Sequence, residues 1–335
     1  MDSYTQKRIS EYNEILGRFD DLIAFEALRE LGVFFLVLEG PMSLEALAAA
    51  TSTHPERLRP FIDLVVNLGF LQRTVVGVGL LPGDEAVFGP EGPCGPNVQP
   101  GTLEAMTRRR GQAVSVLKSN TPLPSAATGG DVEQEKRDEF YAHVHAYSRT
   151  IAVEVAQILG HEGVRRIADL GCGPGTYTAA LLDRCPQASS VSLDRPLARD
   201  FVTRLLDEAG HGDRSEFFAG DMLTDDFGDG FDLILGSEII HNFGIEQNRV
   251  LIGRATERLQ SGGRLAIKDA WVESDRSGPL SALRFGIALA IFAEHGGVYS
   301  SAEVVEWMNE AGLVYEDTHM LESNPGCYVV VGRKP

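Results

Sequence analysis

Three glycines within five positions constrain the fold of this chain more than any other sequence feature. They stand in "RRIADLGCGPGTYTAALL", residues 165–182, directly after an apolar run and directly before a helical pattern. The dinucleotide fingerprint GxGxxG does not fit, because position 176 is a threonine, and no GK[ST] follows as a P-loop requires. The stretch therefore predicts a tight strand-to-helix turn at the ligand crevice of a parallel sheet.

Strand patterns alternate with helical patterns through the second half of the chain. The strand-like stretches are "VRRIADL", "ASSVSLD", "SEFFAGD", "FDLILGSEI" and "GRLAIKDAWV". This alternation predicts an α/β fold with a doubly wound, Rossmann-like parallel sheet. Only a short turn separates the last two stretches, "LVYEDTHML" and "CYVVVGRK", so the terminal strand is expected to run antiparallel to its neighbours.

The N-terminal part of the chain has a different pattern. Helical periodicity marks "DLIAFEALRELGVFFLVLEG", "MSLEALAAATS" with Ser43 as a candidate N-cap, and "HPERLRPFIDLVVNLGFLQR"; an alternating, hairpin-like stretch, "FLQRTVVGVGLL", follows. This order predicts a mainly helical winged-helix domain over residues 1–115, with the α/β domain over residues 116–335. Residues 82–101 and 119–131, rich in Pro and Gly, predict irregular connections.

Charge and composition restrict the classes of partner. With 30 Lys and Arg against 48 Asp and Glu, the net charge is -18, which disfavours nucleic acid and anionic membranes. The helix that would enter a DNA groove offers only two arginines, whereas groove readers need a dense basic face. The apolar faces of "IAFEALRELGVFFLVL" instead predict a homodimer formed through the N-terminal helices. Four scattered cysteines, no apolar leader and no run long enough to span a membrane predict a cytoplasmic protein.

Acidic residues follow three successive strands of the predicted sheet. Asp169 ends the first strand before Gly171 and Gly173, and Asp194 ends the second, about 20 residues past the turn, where a carboxylate can accept both hydroxyls of a ribose. Asp221 follows the third and could accept from an adenine amino group, with Met222 packed on the ring. These positions predict a nucleoside-containing ligand at this edge of the sheet.

The "DLGCGPG" turn resembles that of class I S-adenosylmethionine (SAM) methyltransferases, and the whole chain is similar to the small-molecule O-methyltransferases of plants and bacteria, the family of caffeic acid and acetylserotonin methyltransferases. The resemblance implies SAM as cofactor and a dimerising winged helix. It also implies cofactor contacts by Phe140 and Ser148 in "FYAHVHAYS", where Val144 departs from the family's methionine, and by Ser237 at the end of the fourth strand.

The same resemblance implies the catalytic groups. In "SEIIHNFGIEQ", His241 stands where the family has its catalytic base, with Asn242 and Phe243 replacing the usual partners. Histidine suits this role because its ordinary pKa, about 6.5, is close to cellular pH. Asp269 in "RLAIKDAWV" matches an acid that orients the histidine. Tyr299 replaces the family's second acid, for which Glu294 is a positional substitute.

Alternatives to base-catalysed O-methylation remain open. His241 and His295 could together hold iron(II) or another divalent metal that chelates an α-keto acid for C-methylation, an arrangement that resembles a small branch of the same family. The chain could also bind SAM without methyl transfer, or use SAM as a regulatory effector. The apolar stretch "PLSALRFGIALAIFAEHGG" favours an aromatic or polyketide-like hydroxyl compound as acceptor.

Overall fold

A computed structural model describes residues 3–90, 92, 103–123 and 134–335. Cys94 and most of the two stretches rich in Pro and Gly lie outside the described residues. The chain divides into two compact units, Met1–Gly111 and Gln112–Pro335. None of the described helices combines the length and the apolar composition that crossing a membrane requires.

The first unit is mainly helical. Its elements are α1 (Ser3–Glu30), α2 (Val33–Leu36), α3 (Leu44–Ala50), α4 (Pro55–Asn67), β1 (Gln72–Arg73), β2 (Val78–Gly79), α5 (Glu85–Phe88) and α6 (Leu103–Arg110). The expected helices followed by an antiparallel hairpin are present, and the Ser43 side chain accepts a hydrogen bond from the Ala46 amide as an N-cap. The first helical stretch was expected to run to Gly40, but α1 ends at Glu30 because Gly32 takes a left-handed conformation at φ 74°.

The second unit alternates helices and strands. Its helices are α7 (Ala113–Ser119), α8 (Gln134–Leu159), α9 (Thr176–Arg184), α10 (Arg199–Glu208), α11 (Ile245–Arg258), α12 (Leu280–Phe292) and α13 (Ser301–Glu310). Its strands are β3 (Arg166–Leu170), β4 (Ser189–Asp194), β5 (Ser215–Ala219), β6 (Phe231–Ser237), β7 (Leu259–Ala270), β8 (Val314–Met320) and β9 (Cys327–Arg333).

These strands form one seven-stranded sheet in the order β5-β4-β3-β6-β7-β9-β8. The first five strands of that order are parallel, while β9 runs antiparallel to both β7 and β8, so the α/β class and the antiparallel terminal strand are confirmed. Apolar side chains of α8 and α9 pack on one face of the sheet, and those of α11 and α13 pack on the other. The strand order reverses between β3 and β6, which places a ligand crevice at the carboxyl ends of these strands.

Candidate active site

The glycine turn lies at the carboxyl end of β3, in the crevice where the strand order reverses. Gly171, Gly173 and Gly175 all have positive φ, at 70°, 52° and 82°. A Cβ on Gly171 would lie 2.7 Å from the Ile239 side chain, whereas one on Gly173 would meet no atom within 4 Å. The turn therefore leaves open space beside Gly173, as a backbone that receives a ligand must.

The carboxylate of Asp194 is tied to this turn. Its Oδ2 accepts a hydrogen bond of 2.7 Å from the Gly173 amide, and its Oδ1 accepts one of 2.7 Å from the Arg195 amide. Burial raises the pKa of Asp194, and the two amide hydrogen bonds oppose that rise. The structure thus brings together two of the residues that the sequence predicted to hold the cofactor.

Asp169 lies beneath the turn rather than at its surface. Only 1% of the residue is exposed, and its carboxylate accepts a 2.6 Å hydrogen bond from the Thr178 hydroxyl at the start of α9. Burial raises the pKa of Asp169 to about 7, against the opposing effect of the Thr178 hydrogen bond. Asp169 is therefore a buried residue whose carboxylate is hydrogen-bonded to the first turn of α9.

Asp221 and Met222 follow β5, as the sequence predicted, but their exposure differs. Asp221 is exposed, and its Oδ1 accepts a 2.8 Å hydrogen bond from the Leu223 amide. Met222 is buried in the core between the sheet and α11, and its carbonyl accepts a hydrogen bond from Arg254. The adenine contact predicted for the Met222 side chain stays a prediction, with little of that side chain exposed to make it.

Buried hydroxyl groups surround the end of β6. Ser148 on α8, Tyr177 on α9 and Ser237 are all buried, and the hydroxyl of Tyr177 lies beside those of Ser148 and Ser237. This group of hydroxyls can donate hydrogen bonds to and accept them from a polar ligand. Phe140, in contrast, lies exposed on α8, with its ring 5.6 Å from that of Tyr141.

His241 and Asp269 form a hydrogen-bonded pair at the carboxyl ends of β6 and β7. The His241 Nδ1 lies 2.8 Å from Oδ1 of Asp269, whose Oδ2 also accepts from the His241 amide at 3.3 Å. Asp269 is 1% exposed, and Ala270 donates a further amide hydrogen bond to it. Because the carboxylate accepts the proton of Nδ1, the tautomer it favours leaves Nε2 of His241 as the nitrogen able to take a proton.

The turn that carries His241 is fixed from several sides. Residues 240–242 form one turn of 3-10 helix after β6, and the buried Asn248 of α11 donates to the carbonyls of Ile240 and Phe243 at 3.0 and 3.3 Å. Tyr299 also donates its hydroxyl to the Phe243 carbonyl. A Cβ on Gly296 would lie 2.6 Å from the His241 carbonyl oxygen, so the "HGG" sequence permits a close backbone approach.

The structure places Glu294 beside His295 and not beside His241. Among the described side chains, the carboxylates within 4.0 Å of the His241 imidazole are those of Asp269 and Glu238. Glu294 follows the end of α12, its side chain is 81% exposed, and its Oε1 lies 3.7 Å from Nε2 of His295. The chain turns outward after α12, which carries both Glu294 and the proposed metal ligand His295 toward solvent.

Glu238 is the second carboxylate near His241, and no sequence pattern marks it as a site residue. Its Oε2 lies 3.8 Å from Nδ1 of His241, and its Oε1 contacts the ammonium of the fully buried Lys268. Glu238, His241 and Asp269 are the one group of three or more potential metal ligands among the described residues, with donor atoms within 4.8 Å of one another, and His295 is not a member. Lys268 and the hydrogen bonds to Asp269 already engage these atoms, so we assign the group to hydrogen bonds and charge pairing.

An aromatic side chain from α12 covers His241. The Phe285 ring lies 4.9 Å from the imidazole, with the two planes at 84°. On the same helix, Leu280 and Ile287 are exposed. The Phe285 ring therefore places one apolar side chain against the candidate base.

Comparison with known proteins agrees with this geometry. Residues 125–314 match the model of the O-methyltransferase domain family. A 3-hydroxy-5-methyl-1-naphthoate 3-O-methyltransferase of Streptomyces sahachiroi is 28% identical over 70% of this chain and 66% of its own length. The tetracenomycin polyketide synthesis 8-O-methyl transferase TcmO of Streptomyces glaucescens is 25% identical over 91% of each chain. Other relatives carry the names of N- or C-methyltransferases.

A solved structure has the same fold over the whole length. Human N-acetylserotonin methyltransferase in complex with SAM superposes with a TM-score of 0.79 at 17% identity, covering 100% of this chain and 98% of the other. The family match, the glycine turn and the strand order lead to the same conclusion. The chain belongs to the O-methyltransferase family and is a SAM-dependent methyltransferase.

Proposed function

We propose that this enzyme transfers the methyl group of SAM to a hydroxyl of an aromatic or polyketide-like small molecule, with His241 as the general base. The observation that carries the proposal is the pairing of His241 Nδ1 with the buried Asp269 carboxylate at 2.8 Å. This pairing selects the tautomer with a free Nε2 and stabilises the imidazolium that forms when Nε2 takes a proton.

Residues around the glycine turn fit SAM. The open space beside Gly173 admits a ligand against the backbone, and Asp194 at the end of β4 suits the ribose hydroxyls. The buried hydroxyls of Tyr177 and Ser237 offer hydrogen bonds to polar groups at the other end of the cofactor. When bound, SAM supplies an activated methyl group, the electrophile of the reaction.

The residues of this chain then take part in one proton transfer. As the acceptor oxygen forms its bond to the methyl carbon, the bond from that carbon to sulfur breaks, its electron pair stays on the sulfur of the S-adenosylhomocysteine product, and the hydroxyl proton passes to Nε2 of His241. Asp269 holds the resulting imidazolium through Nδ1, and Phe285 keeps water from one side of the ring. General-base help of this kind contributes about 10²- to 10⁴-fold to the rate, with alignment of the acceptor contributing the rest.

Two observations support an aromatic hydroxyl compound as the methyl acceptor. The apolar side chains of α12, with Phe285 on the imidazole, favour an aromatic ring over a sugar or a charged metabolite. Two relatives bear the names of methyltransferases that act on a hydroxynaphthoate and in the synthesis of the polyketide tetracenomycin. We therefore place the reaction in natural-product biosynthesis, such as that of an antibiotic.

The first unit supports a homodimer. Large apolar side chains on α1 are exposed at helical spacing, namely Ile9, Tyr12, Ile15, Leu16, Phe19 and Leu22. These positions recur every three or four residues and so form one stripe along the helix. A second copy of the chain would cover this stripe, as the N-terminal sequence predicts. The free, buried thiols of Cys172, Cys185 and Cys327 suit the reducing conditions of the cytoplasm.

Product analysis tests the proposed function. The purified enzyme is incubated with SAM and a panel of hydroxynaphthoates, phenolic acids and aromatic polyketides, and mass spectrometry follows the gain of one methyl group together with S-adenosylhomocysteine. Product NMR separates O-methylation from C- or N-methylation. Formation of only a C-methylated keto acid, abolished by a strong chelator and restored by iron(II), would replace the base mechanism with the metal-dependent one.

A further inference from the structure

The side chain of Glu238 lies between a buried cation and the candidate base. One oxygen contacts the ammonium of Lys268, and the other lies 3.8 Å from Nδ1 of His241. Glu238 directly follows β6, and its amide donates a 2.8 Å hydrogen bond to the Lys268 carbonyl on β7. The backbone and the side chain of Glu238 thus both engage Lys268.

Glu238 adopts a backbone conformation that a glutamate rarely takes. Its φ is 54°, in the left-handed region, where residues other than glycine and asparagine are strained. Strained residues of this kind persist where the surrounding structure holds them, and they are concentrated at functional sites. Here the conformation starts the turn that leads to His241, three residues later.

Lys268 is fully buried, with 0% of its side chain exposed. Burial lowers the pKa of the Lys268 ammonium, an effect that the negative charge of Asp269 opposes. The Tyr177 ring centroid lies 6.0 Å from Nζ. Replacing a buried ion pair by apolar residues is often neutral or stabilising, so stability alone gives no reason for this pair.

We propose that Glu238 and Lys268 are positioning residues that set the proton affinity of His241. Glu238 gives the imidazolium a second carboxylate beyond Asp269, and Lys268 limits how much of that negative charge the imidazole experiences. The inference rests on His241 being the base of the proposed function. It assigns the family's second-acid role to the turn after β6, not to the segment around Tyr299.

Among the described residues, the charged groups nearest the His241 imidazole come from β7 and from the turn after β6. From β7 comes Asp269, and from the turn after β6 comes Glu238 with Lys268 behind it. The α12 helix contributes the uncharged Phe285. The segment after α12 packs on the His241 carbonyl through the Gly297 amide, and its charged side chains, Glu294 and His295, pair with each other. Glu238 and Lys268 are therefore the pair whose removal most directly changes the charge around the imidazole.

The proposal is tested by replacing Glu238 and Lys268 separately, which should move the pH profile of the reaction in opposite directions. Glu238→Gln removes a carboxylate that favours the imidazolium, so the acid limb of the pH profile of kcat/KM should move about 1 pH unit lower. Lys268→Met leaves Glu238 without its counter-charge, so the limb should move higher by a similar amount. The double variant should lie between the two. Glu310→Gln is the matched control, because Glu310 pairs with Arg249 instead and should leave the limb unchanged.

A second readout separates this inference from the proposed function. Histidines labelled with 13C are titrated by NMR in the complex with S-adenosylhomocysteine, and His241 is assigned by its loss in His241→Ala. The same opposite shifts should appear here, whether or not His241 proves to be the base. If Glu238→Gln and Lys268→Met shift His241 in the same direction or not at all, the proposal is overturned. If Lys268→Met does not fold, an unshifted Glu238→Gln titration alone overturns it.

Discussion

Replacing Asp269 by asparagine is the sharpest test of the proposed base. An imidazolium and a carboxylate whose atoms lie 2.8 Å apart attract each other by about 6 kcal/mol at an effective dielectric constant of about 20. Asp269→Asn removes this charge and lets the amide donate to the ring, which favours the wrong tautomer. The Coulomb figure is an upper bound, so we expect kcat/KM to fall by about 10²- to 10⁴-fold, which corresponds to about 3 to 5 kcal/mol.

The assay combines single-turnover kinetics with calorimetric binding of S-adenosylhomocysteine. Affinity for S-adenosylhomocysteine should stay within about twofold of that of the wild type, because Asp269 acts on the acceptor's proton through His241. Asp183→Asn provides a matched control. Asp183 also pairs with a histidine, since its Oδ1 lies 2.9 Å from Nε2 of His211, but this pair lies outside the crevice. A rate in Asp269→Asn within a few-fold of wild type, with the fold intact, would refute the role of His241 as a base oriented by this carboxylate.

Three further predictions concern the cofactor, the assembly and the stability. Asp194→Ala should weaken S-adenosylhomocysteine binding by roughly 10- to 100-fold in calorimetry, because hydrogen bonds to a charged group are lost; unchanged affinity would remove Asp194 from the site. Phe19→Asp, on the exposed stripe of α1, should reduce the mass in light scattering from twice to once 36.4 kDa, and a wild-type monomer would contradict the homodimer. Burial raises the pKa of Asp169 to about 7, well above its ordinary value, so the folded state holds a proton that the unfolded chain releases. The resulting stabilisation is complete below about pH 4 and is lost as the pH rises through 7. Asp169→Asn should reduce the dependence of the free energy of unfolding on pH between about pH 4 and 7, measured by urea unfolding, and an unchanged dependence would contradict the prediction.

The features that could be predicted from the sequence are those that follow from local periodicity and residue type. Each predicted strand is present, because period and composition identify buried parallel strands without knowledge of their neighbours. Asp194 could be placed beside the glycine turn because the carboxyl ends of parallel strands meet at one edge of the sheet. The pairing of His241 with Asp269 came from resemblance to a family, since no spacing rule joins positions 28 residues apart.

The remaining site residues depend on contacts that sequence spacing does not reveal. Glu238 precedes His241 by only three residues, but its proximity requires the left-handed turn that the structure places at φ 54°. Lys268 stands in an apolar strand, where a lysine would be expected at a solvated edge rather than fully buried. The exposed position of Glu294 follows from where α12 ends, and the continuous apolar pattern of the sequence does not mark that end.

Because Lys268 and Asp269 are neighbours on β7, the register of this strand decides which of the two charges lies beside His241. Successive side chains of a strand point to opposite faces, so one residue inserted between Arg264 and Lys268 would move the ammonium to the position of Asp269, beside His241, and turn the carboxylate to the opposite face. The insertion would therefore reverse the sign of the charge beside the base, whereas deletion of one residue would bring the uncharged Ala270 to that position. The pairing of β7 with β6 is irregular between Leu259 and Arg264, and changes in length could be absorbed there before the regular ladder begins.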